Sequence, residues 1–218
     1  MQIAMIGLAG AGKDTSALIL QRVLKERGMD FQIDRYAAPL KTAARTVFGP
    51  KSDDRDVKEV PVWVDKDTAI EAALHCCHEL GFTDAEHTAA SKAFFNVMPL
   101  SSRISPRLYQ QLLGTEVVRN TRKSAFVDRL RNDKTRNLII TDTRFENELC
   151  FKNILVRRFE NIDKPKHPSE HLAWDLQFTG KVLPVDVFDL DNHRPTTLHE
   201  LEDRIRFIVD IMSFSDLI

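Results

Sequence analysis

No apolar run in the 218 residues approaches the ~18 that cross a bilayer, so a membrane-spanning protein is not expected. The first residues are apolar, but they carry no basic leader region and no small-residue cleavage site, and Lys13 interrupts them, which argues against a signal peptide. Cysteine is scarce. Cys76, Cys77 and Cys150 form an odd set with two members adjacent, which gives no disulfide framework and fits a reducing cytoplasm. The quartet His75-Cys76-Cys77-His78 lacks the gaps of two or more residues that separate zinc ligands, so it reads as a helix face in a core. Excess charge of either sign is also absent. Lys and Arg number 31 against 32 Asp and Glu, a net charge of -1, so nothing electrostatic favours nucleic acid as a partner.

What the sequence does have is apolar material, 43% of its residues, enough for one well-buried domain with a small inserted lobe. Ile3–Ile6 reads as a buried strand running into a glycine turn. Lys13–Arg27 follows with helical spacing and Gly28 as its stop. Phe31–Tyr36 suits a second strand, and a helix is expected from Pro39 to Gly49. Residues 50–102 open on the charged run KSDDRDVKE and continue with helices near Thr68–Leu80 and Asp84–Asn96; they read as the inserted lobe. A strong helix is expected from Ser105 or Pro106 to Val118. Strands are expected at Asn137–Thr141, Asn153–Val156 and Val185–Leu190, and a closing amphipathic helix at Leu198–Met212. Strands alternating with helices predict an α/β fold, a parallel sheet covered on both faces.

The stretch Gly7-Leu8-Ala9-Gly10-Ala11-Gly12-Lys13 lies between the first strand and the first helix. Glycine backbones reach conformations closed to other residues, so successive N–H groups can turn inward onto phosphate oxygens. The helix beginning at Lys13 adds its positive end, and the lysine reaches the outer phosphates. That makes Gly10, Ala11, Gly12, Lys13, Asp14 and Thr15 the candidate ATP-binding loop. Where such loops carry a metal-ligating hydroxyl after the lysine, this one has Asp14. A carboxylate there suits magnesium held through water, and Thr15 suits an inner phosphate.

Five ordered stretches resemble the bacteriophage deoxynucleoside monophosphate kinases: the GKDT loop, YAAPLK at Tyr36–Lys41, RLYQQLLGTEVVR at Arg107–Arg119, ITDTRFENE at Ile140–Glu148 and HPSEH at His167–His171. The resemblance implies a P-loop three-layer fold with inserted helical substrate-binding and lid regions. It also implies a cytoplasmic enzyme (the host's cytoplasm, if phage-encoded) that uses ATP and Mg2+ to convert deoxynucleoside 5'-monophosphates to diphosphates. Its partners are then small-molecule substrates, with no nucleic acid and no membrane, and a homodimer is left open.

The residues can be read for that chemistry directly. A phosphate monoester has its second pKa near ~6 and is already a nucleophile at neutral pH, so the site needs cations and alignment more than a base. Asp142, at the carboxyl end of a strand, is expected to hold a magnesium water or the acceptor sugar, with a helix N-cap as the competing role. Arg144 suits a bidentate clamp on the acceptor phosphate. Glu148, four residues on, suits orienting that guanidinium or forming a plain helix pair. Arg107 and Gln111 share a helix face, as phosphate and base contacts, while Leu108, Leu112 and Leu113 face the core. Gly114 and Thr115 end or kink that helix near the ligand. Lys41 is a candidate for the acceptor phosphate, and Arg157 with Arg158 for a closing lid over ATP. Ser169 and Glu170 read first as a helix cap, with Glu170 kept as a substrate contact. Tyr36, Tyr109 and Phe145 are candidate walls of the sugar pocket. Another small-molecule kinase, such as a dephospho-coenzyme A or gluconate-type enzyme, would use the same loop. A regulatory GTPase is disfavoured by the lack of DxxG and NKxD-like segments.

Overall fold

The computed structural model describes residues 1–99, 103–133, 135–157, 165, 170–192 and 196–212. In chain order the elements are β1 (Gln2–Ile6), α1 (Lys13–Glu26), β2 (Gln32–Asp34), α2 (Ala38–Phe48), α3 (Lys66–Glu79), α4 (Asp84–Val97) and α5 (Pro106–Gln111). A π-helical segment, Leu112–Arg119, continues α5 and is followed by α6 (Ala125–Arg131) and β3 (Leu138–Thr143). A single 3-10 turn, Glu146–Glu148, precedes β4 (Lys152–Arg157), α7 (His171–Phe178), β5 (Asp186–Asp191) and α8 (Leu198–Ile211). The chain divides into two compact units, Met1–Arg35 with Asp133–Ile218, and Tyr36–Asn132.

The first unit holds the whole sheet, in the order β2-β3-β1-β4-β5, and every neighbouring pair is parallel. Strands β1, β3 and β4 are almost wholly buried, which is why they read as apolar runs and not as alternating patterns. Ile3, Met5, Ile154 and Val156 face one side, packed with Ala17, Leu20 and Leu24 of α1 and Ile205, Ile208 and Val209 of α8. Ile6 and Leu155 face the other side, under Leu172, Ala173 and Leu176 of α7. Helices on both faces of a parallel sheet make three layers, as expected. Gly28, at φ 77°, sits just past α1 as the expected stop, and its N–H donates to the carbonyl of Lys25. The helix expected to follow Ser169 and Glu170 is present as α7, short and with a weak apolar face.

The second unit is helical. Asp65 caps α3 by accepting from the Thr68 N–H at 2.8 Å, and Thr83 with Glu86 forms a capping box on α4. Tyr109 is fully buried; its hydroxyl donates to the Ala69 carbonyl at 2.8 Å, and the rings of Phe48 and Phe94 meet it edge-on. A Cβ on Gly114 would come within 2.8 Å of a Leu40 methyl, so this glycine lets α2 approach the π segment closely. Of the two expectations for Gly114 and Thr115, ending or kinking the helix, the first does not hold; the chain widens into π winding and continues to Arg119, close to the expected end at Val118. Leu113 is buried, but Leu108 is 40% exposed, because Pro106 and Tyr109 take the inward side of α5. Cys76 and Cys77 point into the core, where burial raises both thiol pKa values, that of Cys77 to about 11. His75 and His78 lie on the outer side of the same helix, since four successive helical residues cannot converge on one point. Among the described residues, no helix is long and apolar enough to cross a membrane.

Arg122 closes the carboxyl end of α3. Its guanidinium donates to the carbonyls of Leu80 and Gly81 and to Glu86, and stacks 4.8 Å from the centre of the Phe82 ring. Arg122→Ala should therefore lower stability by about 1–3 kcal/mol in urea unfolding, since carbonyls are left without their donor. Arg122→Lys should recover only part, because an ammonium cannot copy the fork or the stacking. Full recovery by lysine would show that charge alone matters there.

Candidate functional site

β1 ends at Ile6 in the middle of the sheet, and the chain leaves it toward β2 while leaving β4 toward β5. Departures to opposite sides open a crevice at the carboxyl end of β1, where open α/β sheets bind ligands. The glycine loop fills this position. A Cβ on Gly7 would stand 2.8 Å from the Val156 carbonyl oxygen of β4, so a larger residue cannot pass there. Gly10 and Gly12 adopt φ 77° and 90°, left-handed values costly for other residues. Inside the loop the Ala11 N–H donates to the Leu8 carbonyl at 3.1 Å. Gly12 is the N-cap of α1 and brings no side-chain oxygen, so no side chain covers the positive end of the helix from that position.

Lys13 curls back over this loop, its ammonium donating to the carbonyls of Gly7 at 2.7 Å and Leu8 at 2.9 Å. Burial and the neighbouring Arg144 charge lower its pKa to about 8, while Asp14, Glu170 and Asp142 oppose that shift. The ammonium thus feels Asp14, Asp142, Arg144 and Glu170, four of the charged residues that the sequence placed at the candidate site.

The position of Asp142 has a specific cause. Ala4 faces Ile140 and Ile6 faces Thr143, so Thr141 and Asp142 share the place opposite Met5. Such an extra residue is a β-bulge, which re-aims the side chains beside it. β3 runs on to Thr143, so Asp142 is a strand residue and its competing role as a helix N-cap falls away. Glu148 is 1% exposed and accepts from the backbone N–H groups of Arg144 at 2.7 Å and Phe145 at 3.2 Å. It is a clamp on the turn that presents the exposed Arg144; the expected helix pair is not what links them, because only a single 3-10 turn forms there.

Three partners in this unit carried no signal in the sequence reading. Arg35 pairs with the exposed Asp14 carboxylate at 2.8 Å. Asp189 receives Arg157 in a two-pronged contact of 2.8 and 3.0 Å, which holds that candidate lid residue on the β4–β5 edge. Asn192, just beyond β5, donates through Nδ2 to the Ala11 carbonyl at 2.8 Å. All three depend on strand neighbours far apart in sequence. Thr15 is exposed in the first turn of α1. Glu170 is the N-cap residue of α7 but makes no side-chain cap bond, so the expected capping role is not seen. Arg158 and Ser169 lie outside the described residues.

No protein-family model matches the chain, and no curated protein sequence does.

The remaining candidates, Phe145 apart, belong to the helical unit. Lys41 is half-buried on α2, and Gln111 is half-buried at the end of α5, four residues after Arg107. Arg107 pairs with Glu59 at 3.4 Å, and Thr115 is exposed beside the buried Gly114. Tyr36 and Tyr109 are core residues at 2% and 0% exposure, so neither is an open pocket wall; Phe145 is only partly buried and keeps that candidacy.

Among the described residues no group of three or more His, Cys, Asp or Glu could hold a metal ion by itself; Asp14 and Asp142 offer two hard oxygen donors near Lys13, and magnesium keeps several waters and takes one or two carboxylates alongside substrate phosphates.

Proposed function

We propose that the protein is a P-loop nucleotide kinase that transfers the γ-phosphate of ATP to deoxynucleoside 5'-monophosphates. The observation that carries this reading is the placement of Lys13, behind a glycine loop at the carboxyl end of the central strand, with Asp14, Asp142, Arg144 and Glu170 acting on its charge. A half-buried ammonium among charges of both signs suits the transfer of phosphoryl groups, whose charge sits on oxygens in line between donor and acceptor.

In this reading the loop backbone and the first turn of α1 bind the β- and γ-phosphates of ATP. Lys13 exchanges its loop carbonyls for phosphate oxygens and neutralises the charge that moves between them. Magnesium, held by Asp14 and Asp142 through water, would supply further charge neutralisation and alignment of the phosphates. Arg144, presented by the Glu148 clamp, grips the acceptor phosphate, which needs no base to activate it. Lys41, Arg107, Gln111, Gly114 and Thr115 are assigned to the acceptor nucleotide on the strength of the resemblance. A dephospho-coenzyme A kinase-like enzyme remains the alternative acceptor class, because the loop alone does not choose among small-molecule kinases.

The acceptor assignment is tested by comparing specificity constants for dGMP and GMP, then dTMP and UMP, at fixed ATP and magnesium. A pocket packed against C2' leaves a ribose hydroxyl buried without a partner, at about 1–3 kcal/mol. Deoxynucleotides should therefore be preferred roughly five- to a hundredfold. Equal or better use of ribonucleotides overturns the deoxy assignment and leaves the kinase reading standing. ATP binding without transfer to any nucleotide would promote another acceptor.

A further inference from the structure

We infer that Asn192 is a positioning residue for the phosphate loop, fixing the peptide between Ala11 and Gly12 whether or not a ligand is bound. The inference rests on the proposed nucleotide-binding role of that loop. Asn192 follows β5, and its own N–H donates to the Arg157 carbonyl at 2.9 Å, which ties its backbone to the end of β4. From there Nδ2 donates to the Ala11 carbonyl at 2.8 Å. A peptide unit is planar and trans, so its C=O and the next N–H point in opposite directions. Holding the Ala11 carbonyl toward Asn192 therefore turns the Gly12 N–H away from it, freeing that donor for an anion.

Two further observations separate Asn192 from an ordinary loop contact. A Cβ on Gly12 would stand 2.3 Å from Nδ2, so the amide occupies the space a side chain at 12 would need. The glycine at position 12 is required by its φ of 90°, and any side chain there would also displace the Asn192 amide from the Ala11 carbonyl. Lys13 meanwhile holds the Gly7 and Leu8 carbonyls, and must release them when its ammonium meets a phosphate. Asn192 is uncharged and is not drawn away, so the Ala11 carbonyl stays turned back while the other two are set free. A carbonyl swinging toward the phosphates would repel them.

The test measures MgATP binding by calorimetry for the full-length wild type, Asn192→Ala, Asn192→Asp and Lys13→Ala, with hydrogen exchange at the loop amides and thermal midpoints alongside. The aspartate variant keeps the shape but cannot donate, and its oxygen faces a carbonyl. Both Asn192 variants should bind ATP about tenfold more weakly, or worse, with faster exchange at Gly12, unchanged KM for the acceptor and near-wild-type midpoints. Wild-type affinity in Asn192→Asp, with Lys13→Ala still defective, overturns the role of Asn192 alone. Loss of ATP and acceptor affinity together with a lowered midpoint also overturns it, in favour of a purely structural role. Wild-type protein that binds no ATP overturns the nucleotide reading, and this inference with it.

Discussion

Lys13→Ala should reduce phosphoryl transfer by roughly a hundredfold or more in a protein that remains folded, because it removes positive charge from the β- and γ-phosphates. The lysine is held ready at a cost in stability. Its folded pKa, about 8 against an ordinary 10.5, means that the unfolded chain binds more protons than the folded one between those values. The contribution of this group to stability must then rise with pH across that window, while the raised thiol pKa values of Cys76 and Cys77 pull the other way above about pH 9. Activity should move the opposite way: kcat/KM for ATP should fall as pH rises through about 8, because the neutral amine no longer attracts phosphate. Opposed pH trends in activity and in the Lys13 contribution to stability are the signature of a functional cation held against its own preference, and that contribution is read as the difference in stability between wild type and Lys13→Ala at each pH. Near-normal turnover in the purified variant would remove the loop from the chemistry. A large fall in its thermal midpoint would make the lysine a structural strut for Gly7 and Leu8.

Arg144→Ala should cost about ten- to a hundredfold in the specificity constant for the acceptor, the range expected for losing a charge-assisted contact. Arg144→Lys should fare almost as badly, because only the planar guanidinium grips two phosphate oxygens at once. The turn that carries Arg144 is held through its backbone N–H by Glu148, so neither substitution removes the clamp. Glu148→Gln offers a contrast: a neutral amide still accepts from those N–H groups, so its loss should be smaller than that of Arg144→Ala. If Arg144→Lys restores most of the rate, the residue supplies field and not a two-pronged grip. Loss confined to the KM for ATP would move Arg144 to the donor side.

The sequence by itself determined the local features. Apolar runs ending in glycine marked β1, and the spacing of Leu18, Leu20, Val23 and Leu24 before Gly28 marked α1, although Leu18 itself is 60% exposed, because burial period and chain stops are written in neighbouring residues. The same reasoning placed β3, β4, β5 and α8 to within a few residues, and put Lys13, Asp142 and Arg144 at strand and helix ends. What only the tertiary structure decided is pairing across long separations. The bulge at Asp142 exists only against Met5, and Gly7 is compelled by the Val156 carbonyl, so neither is visible in its own segment. Arg35 on Asp14, Asp189 on Arg157 and Asn192 on Ala11 bring together residues up to 181 positions apart. The inward and outward faces of α5 were likewise set by packing, which buried Tyr109 and left Leu108 in solvent. Periodicity reports which residues avoid water along one element; the order of strands in a sheet decides which distant side chains that element will meet.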